Sequence, residues 1–266
     1  MGCHPPYTLI LGALLTLTDR ESSGRSAPAE RAPPEARQGS IVRRYSVQFV
    51  VVVALFVTSL IAANIIAVKL VSVGGLIVPA AAIVIFPLSY IFGDILTEVY
   101  GYREARRVIW LGFLCNLVVV AAIWIAQILP PAPIWDAQAA YERILGFTPR
   151  LLLASFVAYL VGEFANSIVL ARMKVATGGR WLWSRTIAST LVGQALDSAI
   201  FISIAFGGIV PSEALLGLIV MQWLAKSAYE VIATPLTYAV VGYLKRKEGI
   251  DVFDRDTNLN PLLVRE

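Results

Sequence analysis

Read from end to end, the chain alternates long apolar runs with short polar interruptions. The runs approach or exceed the ~20 residues that a helix needs to cross a ~30 Å hydrocarbon core. Six follow one another: Tyr45–Val68, Ala80–Val99, Ala105–Leu129, Thr148–Met173, Leu182–Phe206 and Ser212–Leu244. A short apolar connector with Gly74, Gly75 and Pro79 joins the first two, a Pro-rich PPAP stops the third, and a polar stretch from Trp135 to Phe147 precedes the fourth. Residues 1–44, rich in Pro, Ser, Ala and Arg, read as a disordered leader. The apolar Tyr7–Thr18 within it is too short to span a bilayer, and a start codon placed too early explains the leader equally well. The expected organisation is a leader (1–44), an all-α bundle of six transmembrane helices (45–244) and a charged tail (245–266).

Composition agrees with that pattern. The chain is 58% hydrophobic and 15% charged, with a mean hydropathy of +0.72, which excludes an ordinary soluble domain. A net charge of +4 raises the question of nucleic acid, but the basic residues flank the apolar runs, so no nucleic-acid partner is expected. They also orient the bundle. Of the 22 Lys and Arg, 18 fall on one side of a six-helix arrangement, 3 (Lys69, Arg143, Arg150) on the other, and Lys226 lies inside the last helix. The positive-inside rule therefore puts both termini in the cytoplasm. Cys3 and Cys115 form neither a metal spacing nor a disulfide framework.

Ionisable side chains at bilayer depth are costly, about 2.5–3.5 kcal/mol each on insertion scales, so they should face protein or water. Four stand out: Glu163 in the fourth segment, Asp197 in the fifth, and Lys226 and Glu230 in the sixth. Helical spacing extends each into a polar stripe. Glu163 pairs with Asn166, and Gln194 with Asp197 and then Phe201, while Gln222, Lys226 and Glu230 repeat every four residues. Facing stripes would form a pocket of carboxylates, amides and rings, suited to a planar, nitrogen-rich ligand, with Phe201 or Tyr229 stacking on it. The four charges sum to −1, which favours a neutral or cationic ligand. Structural alternatives stand beside this. Lys226 and Glu230 could pair with each other, Asn166 and Gln194 could only hold helices together, and Glu163 or Asp197 could bond Lys226. Asn64 is a candidate for an entrance and Asn116 for the midplane. Asp94 and Glu98, followed by Arg103, Arg106 and Arg107, read as an ion network or gate at the cytoplasmic face. Trp181 and Trp183 read as interface anchors, and Pro235 as a kink below Glu230.

Absences narrow the function. The chain has no G-x-x-x-x-G-K-[ST], and its one histidine, His4, lies in the leader. These argue against an ATPase of its own, a His-based intramembrane metalloprotease and a Ser–His dyad. The reading is a transporter, not an enzyme, with no cofactor.

Five stretches carry a resemblance: NIIAVKL from Asn64, FPLSYIFGDILTEVYGYREARRVIWLGF from Phe86, GEFANSIVLARMK from Gly162, SRTIASTLVGQALDSAIF from Ser184, and KSAYEVIATPLTYAVVGYLKRKEGIDVFD from Lys226. Over roughly residues 45–255 the chain resembles the queuosine precursor transporter family of bacterial integral membrane proteins. The resemblance implies import of 7-deazaguanine bases (7-cyano-7-deazaguanine, 7-aminomethyl-7-deazaguanine) across the bacterial inner membrane, for synthesis of a modified tRNA nucleoside. It also implies a fold similar to the substrate-binding subunits of energy-coupling-factor transporters, which leaves a subunit awaiting an ATPase partner as the alternative. The family's polar positions fall on Asn64, Asp94, Glu98, Glu163, Asn166, Gln194, Asp197, Lys226 and Glu230. The partners expected are a nucleobase and the lipid bilayer, with a homo-oligomer left open.

Overall fold

The computed structural model describes residues 45–66, 69, 71–73, 76–78, 85–146 and 149–263. The leader lies outside the described residues, as do positions 80–84 of the second expected segment. Helix α1 (Val47–Ile66) is followed by a small antiparallel hairpin, β1 (Val71–Val73) and β2 (Leu76–Val78), in the register Val71 opposite Val78. Then come α2 (Phe86–Ile95), a π-helical turn (Leu96–Tyr100), α3 (Tyr102–Ile128), α4 (Gln138–Leu145), α5 (Pro149–Ala176), α6 (Leu182–Phe206) and α7 (Ser212–Glu248).

Among the described residues, five helices are long and apolar enough to cross a membrane: α1, α3, α6, α7, and α5 within the stretch Gln138–Ala176. Their surfaces are inside out relative to a soluble protein. On α3, Leu114, Val118, Trp124, Ile125 and Ile128 are exposed, as are Leu216, Ile232 and Leu236 on α7, while Glu163, Asn166, Gln194 and Glu230 are buried. Only lipid makes that distribution favourable, so this is a multi-pass membrane protein.

The sequence pattern and the structure part in four places. The connector after α1 carries a hairpin. The expected second span is not among the five long helices, because α2 and the π turn together cover only Phe86–Tyr100. The π turn ends at Gly101, which sits at φ 86°, and a Cβ there would stand 2.6 Å from Val252 Cγ1. Only glycine fits both constraints. Helix α7 runs through Pro235 without interruption. Finally, the polar stretch before α5 contains the short helix α4, whose alternating polarity was too brief to register as a helix.

Two kinds of interior result. An apolar core joins α1 (Phe49, Val52, Phe56, Leu60) to α2, α3 and α5 through Ile91, Ile95, Ile109 and Tyr159. On the other side α5 packs most extensively on α6, and α6 on α7, with α2 reaching α5 and α7. That second interior is polar.

Candidate functional site

The polar interior is built around one close helix crossing. A Cβ on Gly162 of α5 would lie 2.9 Å from Asp197 Cβ and 3.1 Å from the Gly193 carbonyl oxygen; one on Gly193 of α6 would lie 2.8 Å from Asn166 Cβ and 2.9 Å from the Gly162 oxygen. The packing is reciprocal. Each glycine forms the seat for the polar residue four positions along its neighbour, in the small-residue manner by which membrane helices approach. Since Glu163 follows Gly162 and Gln194 follows Gly193, the crossing brings the stripes of α5 and α6 together.

Helix α7 adds Lys226, whose Nζ donates to Asp197 Oδ2 at 2.5 Å and lies 4.2 Å from the centre of the Phe86 ring. This is the structural alternative anticipated for Asp197, and Lys226 does not take Glu230 as its partner. Helix α2 adds two residues. Asp94 Oδ1 accepts from Asn166 Nδ2 at 2.6 Å. Tyr90, fully buried, places its hydroxyl at the Gly162–Gly193 crossing, 2.5 Å from where a Gly162 Cβ would be. The charges of Asp197, Glu163 and Asp94 act on that hydroxyl.

Many polar atoms here have no hydrogen-bond partner among the described residues: both oxygens of Glu163 and of Glu230, both amide atoms of Gln194, Asp94 Oδ2, Asn166 Oδ1, the Tyr90 hydroxyl and Ser198 Oγ. Buried polar groups are paired in nine cases out of ten or more, so such a concentration marks a place built for something other than stability. Among the described residues, no group of three or more His, Cys, Asp or Glu is placed to hold a metal ion.

The other candidates scatter. Ser155 Oγ donates to Asn64 Oδ1 at 3.4 Å between α1 and α5. Asn116 is buried on α3. The Phe201 ring meets Phe206 edge-on at 6.5 Å, and Tyr229 packs against the apolar core. The ring placed among the carboxylates is Tyr90, one that sequence spacing did not single out. A visible cue existed only for the crossing: the stripes of α5 and α6 each begin directly after a glycine.

The expected grouping of Asp94 and Glu98 with three arginines does not form. Asp94 joins the cluster just described. Glu98 Oε1 instead accepts from Arg185 Nη2 and Lys245 Nζ, each at 2.7 Å, with Lys174 Nζ at 3.7 Å. Lys174 also donates to the Glu98 carbonyl (2.5 Å), to Asp251 Oδ1 (2.5 Å) and to the Val252 carbonyl (2.6 Å). Sequence distance hid these partners, since Arg185 is 87 residues and Lys245 147 residues from Glu98. Arg107 pairs with Glu104 at 2.9 Å. Arg106 donates to the carbonyls of Asn258 and Asn260, Tyr102 N to Asp254 Oδ2, and Trp110 Nε1 to the Pro261 carbonyl. The tail after α7 is thereby strapped across the start of α3. Arg103 and Arg106 border a concavity of about 310 Å³ under that strap, with Phe253, Asp256, Thr257 and Asn258. It lies apart from the residues of the polar cluster, which is itself tightly packed.

Comparison with known proteins places this architecture. A family model described as "Putative vitamin uptake transporter" matches residues 80–240. A "Probable queuosine precursor transporter" of Bacillus subtilis is 35% identical over 147 residues, 55% of this chain and 64% of the relative. A "Queuosine precursor transporter" of Escherichia coli is 29% identical over 124 residues, 46% of this chain and 52% of the relative. The matches thus span roughly half to under two thirds of these relatives' lengths. No solved structure matches.

Proposed function

The chain belongs to that vitamin uptake transporter family, and from this premise we propose that it imports 7-deazaguanine bases, 7-cyano-7-deazaguanine or 7-aminomethyl-7-deazaguanine. In this reading it works in the bacterial inner membrane as a six-span bundle with both termini in the cytoplasm.

The observation that carries the substrate class is Glu163, fully buried at the α5–α6 crossing with neither carboxylate oxygen bonded. A deazaguanine presents two adjacent donors, N1–H and the 2-amino group, and a carboxylate accepts from both at once. Gln194, whose amide oxygen and nitrogen are also unbonded, offers the donor that the ring carbonyl needs and an acceptor besides. Asp197 is committed to Lys226 and holds the frame. Four acids (Asp94, Glu163, Asp197, Glu230) stand against one base (Lys226), which suits a neutral or cationic ligand and repels anions. A site that hydrogen-bonds this edge rejects a ring lacking it, because its own buried groups would then stay unpaired.

The test is uptake. Cells that neither make the precursor nor import it are given this chain and a low concentration of either base, and queuosine is measured in their tRNA. Restored queuosine, lost again in Glu163→Ala with the protein still inserted, is the expected result. No restoration by an inserted wild-type protein would overturn the reading.

A further inference from the structure

The polar cluster has no spare room. Tyr90, Glu163, Asn166 and Gln194 are each 0% exposed, so a bicyclic base enters only if something inside leaves. Most of the cluster is held. Asp197 and Lys226 grip each other at 2.5 Å, Asp94 and Asn166 at 2.6 Å, and the glycine crossing fixes two backbones. Tyr90 is different. Its hydroxyl is buried without a partner, so its ring withdraws without breaking a hydrogen bond. The ring lies in the notch of the crossing, Cε1 being 3.3 Å from where a Gly193 Cβ would stand. Its hydroxyl stands at the other side of the crossing, 2.5 Å from where a Gly162 Cβ would be. A flat six-membered ring with one polar group at its rim is a fair copy of half a heterobicyclic base.

The element that carries Tyr90 is also built to move. Helix α2 has ten residues and opens with Pro87; it closes in the π turn Leu96–Tyr100 and at Gly101. A π turn has a loosened hydrogen-bond ladder and recurs at functional sites. Phe86, tilted against Tyr90 at 5.7 Å, would move with it.

We propose that Tyr90 keeps the seat of the substrate ring, and that a planar heteroaromatic ligand takes that seat as α2 pivots at the π turn, withdrawing Tyr90 from the Gly162–Gly193 crossing and parting Asp94, on the same helix, from Asn166. The ligand's identity rests on the function proposed above. Part of the intrinsic affinity is then spent on displacing the ring, as for any protein whose binding-competent state is a minor one. Shrinking residue 90 should therefore tighten binding, whereas loss of a merely structural residue would weaken it.

The experiment is equilibrium binding of 7-cyano-7-deazaguanine to the full-length protein in lipid nanodiscs. Tyr90→Leu is expected to bind about fivefold tighter than wild type, Tyr90→Phe within about twofold, and Tyr90→Trp about fivefold weaker. Size-exclusion profiles and melting curves check folding. A second measurement keeps Tyr90 in place: in a Cys3→Ser, Cys115→Ser background, Phe86→Cys should react faster with a maleimide once the base is added. Wild-type binding with a folded Tyr90→Leu that binds equally or more weakly would overturn the inference, as would labelling of Phe86→Cys that the base leaves unchanged. No binding by wild type or any variant would remove the proposed ligand, and this inference with it.

Discussion

Two buried clusters of charge lie along the same stretch of chain, and they are opposites. At Glu98, three cations converge on one carboxylate oxygen, and Asp251 takes two of them from the other side. At Glu163, on α5, neither oxygen has a hydrogen-bond partner among the described residues. The first cluster pairs its acids with its bases, with Glu98 Oε2 and Arg185 Nε the atoms left unbonded, and ties the π turn to α5, α6, α7 and the tail. The second leaves Glu163 unpaired at a helix crossing. A buried charge network that satisfies itself holds structure together, and one that does not is waiting for something to satisfy it.

The comparison breaks most sharply under matched substitutions. Glu98→Gln leaves the buried Arg185 without its carboxylate and Lys174 with Asp251 alone, and should cost about 3–5 kcal/mol of stability. Glu163→Gln removes a charge that no protein group satisfies, and should change stability by less than about 1 kcal/mol while uptake falls. Thermal unfolding in nanodiscs decides it: equal losses in both variants would erase the distinction.

A smaller effect is expected at the crossing. Gly193→Ala drives a methyl to 2.8 Å from Asn166 Cβ and 2.9 Å from the Gly162 carbonyl, so α5 and α6 must part. A loss of about 1–3 kcal/mol follows from overpacking, with a larger proportional loss of base uptake because both polar stripes shift. Gly217→Ala, which meets nothing within 4 Å, is the control and should do neither.

The smallest effect is a pH dependence of the closed cluster. Burial pushes the Asp251 carboxyl up, but hydrogen bonds from Lys174 and Lys245 outweigh it and hold the group below its ordinary 3.8. A depressed folded value stabilises above the unfolded one and loses that contribution as pH falls through the folded value. The melting-temperature gap between wild type and Asp251→Asn should thus be full at pH 7 and close below about pH 4. A gap that stays constant to pH 3 would show that the charge of Asp251 contributes nothing.

Much of this molecule is legible without coordinates because hydropathy is a local property. Each apolar run must be helical wherever lipid surrounds it, since unpaired backbone groups cannot be left in hydrocarbon. Helix α6 begins and ends at the two residues that its pattern marks, and α3 and α5 begin and end within a turn of theirs. The polar stripes were equally plain, being rare letters at helical spacing. The second segment was the harder one, because its regular α-helix gives way to the π turn Leu96–Tyr100, which no hydropathy pattern marks.

Which polar groups meet was decided only in three dimensions. Asp94 and Glu98 are four residues apart and carry the same chemistry, yet one joins Asn166 in the open cluster and the other joins Lys174, Arg185 and Lys245 in the closed one. Nothing in their spacing separates them. The choice depends on how α2 turns against α5 and α6, and that follows from two glycines approaching to contact distance and a tyrosine ring filling the notch between them. Sequence thus determined that this is a membrane protein with acids at bilayer depth. The rotation and depth of each helix, which are sums over contacts distant in the chain, determined which acids stand unpaired.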